Sequence, residues 1–308
     1  MGKGSHANPN PEEEKAVKPT IYETITNQIV AAIEEGASLY KMPWHRERFD
    51  STSPRNAASG RSYRGLNIIT LWMIAEAKHF SSGTWGTYQQ WQEKGAQVRK
   101  GEKSATVFFW KNLREGQDDS GSDDDDNRAR FVARAYSVFN ADQVDGYEVP
   151  AVPVLSEAER IAKAEAFFSA IPAKIKHGGN VPCFIPSSDS VEMVPFSQFK
   201  SAKGYYSVLA HELTHWTGAN ARLDRDLSGR FGSEQYAMEE LVAELGAAFI
   251  AGQLELPSVP RTDHAPYIAS WLKVLKNDSR AIFTAASKAQ AAADYLAGFQ
   301  MKEEEMAA

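Results

Sequence analysis

Two histidines four residues apart with a glutamate between them, His211-Glu212-Leu213-Thr214-His215, are the residues of this chain best spaced to do chemistry. On a helix, positions i and i+4 lie about 40° apart around the axis, so both imidazoles can reach one ion. Glu212, next to the first histidine, is then close enough to take a proton from water held by the metal. A catalytic zinc needs a third protein ligand and an open fourth position. The stretch Glu239-Glu240-Leu241-Val242-Ala243-Glu244 supplies one, because Glu240 and Glu244 share a face of a second helix. We assign Glu240 to the metal and Glu244 to a hydrogen bond with a ligating histidine. Spacing alone also permits the exchanged assignment. Zinc is the first choice of ion, with manganese or cobalt as alternatives. Tyr236 is a candidate to stabilise an oxyanion; Tyr205 is another, though packing is the commoner use of such a tyrosine.

The elements that must hold these residues are legible around them. Leu209, Leu213 and Trp216 form a core stripe on the first helix, which Gly218 ends, and Leu241, Leu245 and Ala248 form one on the second. Residues 190–196 alternate as a strand ahead of the metal helix, and an exposed strand edge there would hold an extended peptide by main-chain pairing. His177 and His264 read as surface loop residues without partners at ligand spacing. Cys183 reads as a buried thiol.

The first half of the chain has a different character. Residues 51–114 carry ten basic side chains against three acidic ones, and five of the seven tryptophans precede residue 111. Cations neutralise phosphates and aromatic faces stack on unpaired bases, which suits single-stranded nucleic acid better than duplex. Arg61, Tyr63, Arg64, Trp85, Arg99, Lys100 and Lys103 are the candidate contacts; Trp72 and Phe109 are expected in the core. Helical spacing is expected over residues 20–35, 66–80 and 88–94. Residues 106–110 and 131–139 are expected to pair as antiparallel strands. The acidic loop 115–127 between them reads as a solvated hairpin tip, with phosphate mimicry as the sharper alternative.

Residues 1–18 read as a disordered lead-in, Pro150 to Pro153 as a linker and 301–308 as a flexible tail. Ser156 with Glu159 three residues on is a capping box opening the second half. The expectation is a two-domain α+β protein with domains at 19–148 and 152–300. Of its 308 residues 43% are hydrophobic, enough for real cores and against a wholly disordered chain. The single cysteine excludes an internal disulfide and a multi-cysteine metal cluster. The apolar runs fall far short of the ~18 residues of a membrane span, and no signal peptide is visible, so a soluble cytoplasmic protein without membrane contact is expected.

The blocks "NAASGRSYRGLNIITLW", "WGTYQQWQEKGAQVRKGEKSATVFFW", "HELTHWTG" and "YAMEELVAELGAAF" make the chain resemble the plasmid-borne ArdC antirestriction proteins from about residue 20 to residue 299. The resemblance implies an N-terminal domain that binds single-stranded DNA and a C-terminal, mainly helical zincin-like metallopeptidase domain with a small sheet. It also implies protection of incoming conjugative plasmid DNA from host restriction. His211, Glu212, His215 and the Glu240/Glu244 pair carry over by motif; no DNA contact does. Three uses stay open: a DNA-tethered protease acting on restriction or other DNA-bound proteins, a non-proteolytic DNA-coating protein with a structural metal, and a metalloprotease cleaving a host regulator.

Overall fold

Thr20, Thr87 and Ser156 each accept a hydrogen bond from the backbone N–H three residues on, and Glu23, Gln90 and Glu159 each accept one in return from the cap. These capping boxes satisfy helix-end donors locally and open α1 (Ile21–Gly36), α3 (Tyr88–Glu93) and α4 (Glu157–Ser169). The computed structural model describes residues 20–37, 42–45, 53–112, 131–149, 156–257 and 265–300. The lead-in, the acidic loop 115–127, the linker at 150–153, His264 and the tail lie outside the described residues.

The protein is α+β. A four-stranded sheet runs in the order β1 (Arg55–Asn56), β2 (Thr84–Gly86), β5 (Phe131–Asn140), β4 (Ala105–Asn112). The long pair β4–β5 is antiparallel, with Ala105 opposite Val138 and Phe109 opposite Arg134. Helix α2 (Leu66–Lys78) backs β4, and its Asn67 side chain donates to the Phe108 carbonyl and accepts from the Phe108 N–H, as a neighbouring strand would. It stops two residues short of the expected end because His79 turns into the left-handed region and donates to the carbonyls of Ala75 and Glu76. A short antiparallel pair, β3 (Gln97–Val98) with β6 (Val144–Asp145), covers a satellite cluster around Trp91.

Beyond α4 lies a three-stranded sheet in the order β7 (Lys174–His177), β9 (Ser190–Met193), β8 (Cys183–Ile185). Then come α5 (Ala202–Thr217), α6 (Glu234–Gln253), α7 (Ala265–Asn277) and α8 (Ala281–Ala297). Helix α6 is buried on every side from Glu240 to Gly252, so it is the central post against which α5, α7 and α8 pack. The two halves share one core. Ile33, Trp44, Ile69 and Leu71 belong to the same apolar cluster as Leu213, Leu241, Phe249 and Trp271, with α1 against α7 and α2 against α8. Among the described residues, no helix is long and apolar enough to cross a membrane.

Candidate metal centre

Leu209, Leu213 and Trp216 anchor one side of α5 in the core, which turns His211 and His215 toward α6. Their Nε2 atoms stand 3.2 Å apart. Glu240 completes the group, with Oε2 3.5 Å from the His211 Nε2 and Oε1 3.7 Å from the His215 Nε2. Ligands about 2.0–2.1 Å from a tetrahedral ion lie roughly 3.3–3.4 Å from one another. Two imidazole nitrogens and a carboxylate oxygen within 4.8 Å of one another therefore fit a single divalent ion.

A carboxylate stands behind each histidine, and for His215 a hydrogen bond fixes which nitrogen faces forward. His215 Nδ1 lies 3.1 Å from Glu239 Oε1, and a ring that donates from Nδ1 leaves Nε2 free to ligate. Arg225 grips that same carboxylate, with Nε 3.0 Å from Oε2 and Nη2 2.8 Å from Oε1, and also donates to the Thr217 hydroxyl and the Thr214 carbonyl. His211 Nδ1 has Glu244 Oε2 at 3.5 Å. So three glutamates of one helix face all four ring nitrogens of the two histidines. Glu240 points at the two converging Nε2 atoms, whereas Glu239 and Glu244 stand behind.

The electrostatics follow from this packing. Burial opposes ionisation of Glu240, but the His211 hydrogen bond and the charges of His215 and His211 outweigh it and bring its carboxyl down to about 2. Burial likewise opposes ionisation of Glu239, and hydrogen bonds from His215 and Arg225 overcome it, leaving the carboxyl below its ordinary value. Burial pushes the Tyr236 phenol far up, helped by its hydrogen bond with Tyr267 and the nearby charge of Glu240, so it remains an O–H donor.

A cleft of about 480 Å³ opens in front of the triad, lined by Glu212, Tyr236, Tyr267, Asp226 and the strand residues Cys183 and Phe184. Glu212 and Tyr236 both line this cleft. The strand at the cleft differs from the expected one. β9 is paired on both sides, and Pro195 ends it early by starting a single 3-10 turn, so the edge belongs to β8. Cys183 of β8 is half-buried and lines the cleft; its thiol is pushed up by burial and by the charges of Glu212 and Glu192. Tyr205 lies away from the cleft, with Phe196 and Phe199 against its ring and its hydroxyl 2.8 Å from His177 Nε2. His177 is exposed and, among the described residues, has no partner at ligand spacing, but it ends β7 rather than lying in a loop.

The proposed nucleic-acid residues are scattered by the fold. Arg61, Lys100 and Lys103 are exposed. Tyr63 and Trp85 are 4% and 1% exposed and offer no face for stacking. Arg64 is exposed but pairs with Asp294 of α8. Arg99 donates to the Asp142 carbonyl and pairs with Glu102 and Asp145, so its charge is largely spent inside its own domain. Trp72 is buried as expected, whereas Phe109 is 50% exposed. The face of β4–β5 that buries Ala105, Val107 and Val138 outruns the core, and there it presents Phe109, Tyr136 and Arg134 to solvent.

Sequence reasoning missed Glu239, Arg225 and Tyr267. Glu239 carried a signal, since adjacent glutamates on a buried helix point about 100° apart and can serve two histidines. Arg225 carried none, because nothing local ties it to the motif.

Residues 162–288 match the family described as zincin-like metallopeptidase, and residues 19–139 the N-terminal domain of anti-restriction factor ArdC. The uncharacterized protein y4eC of Sinorhizobium fredii is 53% identical over 90% of this chain and 91% of its own length. DNA primase TraC of Escherichia coli is 34% identical over 95% of this chain, which spans only 21% of that protein. The metal-free crystal structure of the antirestriction ArdC protein from plasmid R388 superposes with a TM-score of 0.73 at 37% identity, covering 91% of this chain and 99% of that one. Its Mn(II)-bound form gives a TM-score of 0.72 at the same identity, covering 91% and 98%.

Proposed function

The chain belongs to the ArdC family of antirestriction proteins, and from that premise we propose that it binds single-stranded DNA through its N-terminal half and cleaves peptide bonds at a divalent metal centre in its C-terminal half. In this reading it protects incoming conjugative plasmid DNA from host restriction, with DNA-bound restriction proteins as the substrate class. The observation that carries the reading is the convergence of His211, His215 and Glu240 within 4.8 Å of one another in a cleft that Glu212 also lines.

His211, His215 and Glu240 would hold the ion, zinc by preference for this donor set. When bound, it lowers the pKa of a water molecule and polarises a carbonyl. The chain's own residues do the rest. Glu212 removes the proton of the attacking water and passes it to the leaving amine. Tyr236, held as an O–H donor by burial, supplies a hydrogen bond to the oxyanion that develops on the carbonyl. Among the described residues one side of β8 is unpaired and offers main-chain groups to an extended peptide, and the exposed side chains of Val181 and Phe231 flank its path.

On the other half, Phe109 and Tyr136 meet edge to face at 5.5 Å, with Arg134 beside them across the strand pair. Stacking on such rings is indifferent to base identity and adds a cation for the backbone. A second reading, DNA coating with a purely structural metal, draws on the buried position of His211 and Glu244 within the shared core.

A restriction-protection assay in cells, comparing wild type with Glu212→Gln and with Phe109→Ala/Tyr136→Ala, separates them. Loss in Glu212→Gln with metal and DNA binding retained supports hydrolysis. Loss only in the aromatic variant supports coating. Protection surviving in both would remove the basis of either reading.

A further inference from the structure

Glu244 stands between two histidines from different halves of the chain, hydrogen-bonded to His45 and at ion-pair distance from His211. Its Oε2 faces His211 Nδ1 at 3.5 Å, and its Oε1 lies 2.9 Å from the Nε2 of His45, 199 residues away. His45 is 3% exposed, and Met42 and Trp44 beside it are 1% and 0% exposed. The His45 tautomer follows from its surroundings. The Met42 N–H donates to its Nδ1 at 3.0 Å, so the neutral ring carries its proton on Nε2 and donates to Glu244. The Trp44 indole N–H points at the same oxygen from 3.4 Å. Trp44 is itself held edge-on against Trp271, whose own N–H donates to the Ala237 carbonyl on α6. The short segment 42–45 is thus wedged against the helix that bears Glu240.

We infer that His45, with Trp44 beside it, is a positioning residue for the metal centre: it orients Glu244, which in turn sets the ring of His211. The inference rests on the metal reading above and adds a partner from the N-terminal half. A buried carboxylate accepting hydrogen bonds on one oxygen loses its freedom to rotate, so its other oxygen stays facing Nδ1 and the His211 Nε2 stays aimed at the ion. Metal occupancy and the seating of the N-terminal segment are then linked, and the linkage is reciprocal. The DNA-binding half and the metal half would not work as separable modules.

The test is a Co(II) titration of the metal-free full-length protein, followed by visible absorption, for wild type, His45→Leu and His45→Gln. Glutamine keeps a side-chain N–H donor at similar reach. The expected result is about tenfold weaker Co(II) binding with an altered band in His45→Leu, and recovery of most of both in His45→Gln, in line with the roughly 10–100-fold cost of losing a group that orients a ligand. Amide exchange over residues 42–45 should also slow when metal is added to wild type. If His45→Leu only lowers the melting temperature in chelator, while the metal-induced rise and the Co(II) spectrum match wild type, His45 is mere packing and the inference fails. Should His45→Leu not fold, His45→Asn, polar but too short to reach Oε1, takes its place in the comparison. Wild type that binds neither Co(II) nor Zn(II) would instead overturn the metal reading, and this inference with it.

Discussion

Gly246 of α6 lies so close to Thr214 of α5 that a Cβ built on it would stand 2.6 Å from both Cγ2 and Oγ1 of the threonine. Thr214 cannot swing aside cheaply, because its hydroxyl donates to the Ala210 carbonyl at 2.8 Å. This close crossing brings Glu240, about one and two-thirds turns earlier on α6, under the two histidines. Gly246→Ala should therefore cost about 1–3 kcal/mol of stability through overpacking and weaken metal binding as well. Urea denaturation in chelator and a metal titration check the two effects. The double variant Thr214→Ala/Gly246→Ala should recover most of the loss; additive losses would sink the contact argument.

Glu212→Gln keeps size and hydrogen-bonding capacity but removes the base. Peptide cleavage is expected to fall about 10²–10⁴-fold while metal affinity stays within a factor of a few. Activity on a casein-derived peptide mixture and a parallel metal titration measure this. Undiminished cleavage would remove Glu212 from the mechanism.

Glu239 links metal chemistry to acid stability. Its carboxyl sits below the ordinary 4.5, with burial opposing and His215 and Arg225 outweighing that opposition. A group with a depressed folded-state value contributes stability that is complete above about pH 4.5 and fades as pH falls through that lower value. The stability difference between wild type and Glu239→Gln should thus be constant from pH 7 to 5 and shrink below 4.5. Arg225→Gln, which leaves the carboxylate buried without its cation, should cost about 3–5 kcal/mol at neutral pH. Denaturant melts across pH test both.

For DNA, the exposed and buried aromatics should behave oppositely. Phe109→Ala and Tyr136→Ala are each expected to weaken binding to a mixed-sequence single strand by about 1–3 kcal/mol, with little change in folding stability. Trp85→Ala should destabilise the fold by about 3–5 kcal/mol without a specific loss of DNA affinity at temperatures where it stays folded. Fluorescence anisotropy at fixed salt, paired with thermal melts, distinguishes the two patterns. An unchanged affinity in Phe109→Ala/Tyr136→Ala would move the DNA site elsewhere.

Removal of the metal should be felt by the whole molecule, since the ligands sit in a core shared by both halves. Metal at 100 times its dissociation constant adds about 2.7 kcal/mol of stability. A chelator should lower a single melting transition accordingly. Two transitions, of which only one responds, would mean that the halves unfold independently.

What the sequence by itself determined is what a helix turn or a strand pair encodes locally. The i,i+4 spacing of His211 and His215, the capping box at Ser156 and the pairing of β4 with β5 all repeat within a few residues or across one hairpin, so their periodicity is visible without a fold. The tertiary structure decided the rest, because it depends on which surfaces meet. Only the pose of α6 against α5 divides the four ring nitrogens of His211 and His215 among Glu239, Glu240 and Glu244. Only the sheet order makes β8 an edge and β9 a centre strand. Residue type announces a charge or a ring but not whether a neighbour has already used it, which is how Arg99 is engaged by Asp142, Tyr63 and Trp85 are buried, and Phe109 is left in solvent. His45 is the extreme case, since a contact across 199 residues leaves no pattern in the chain and exists only once both halves have packed around Glu244.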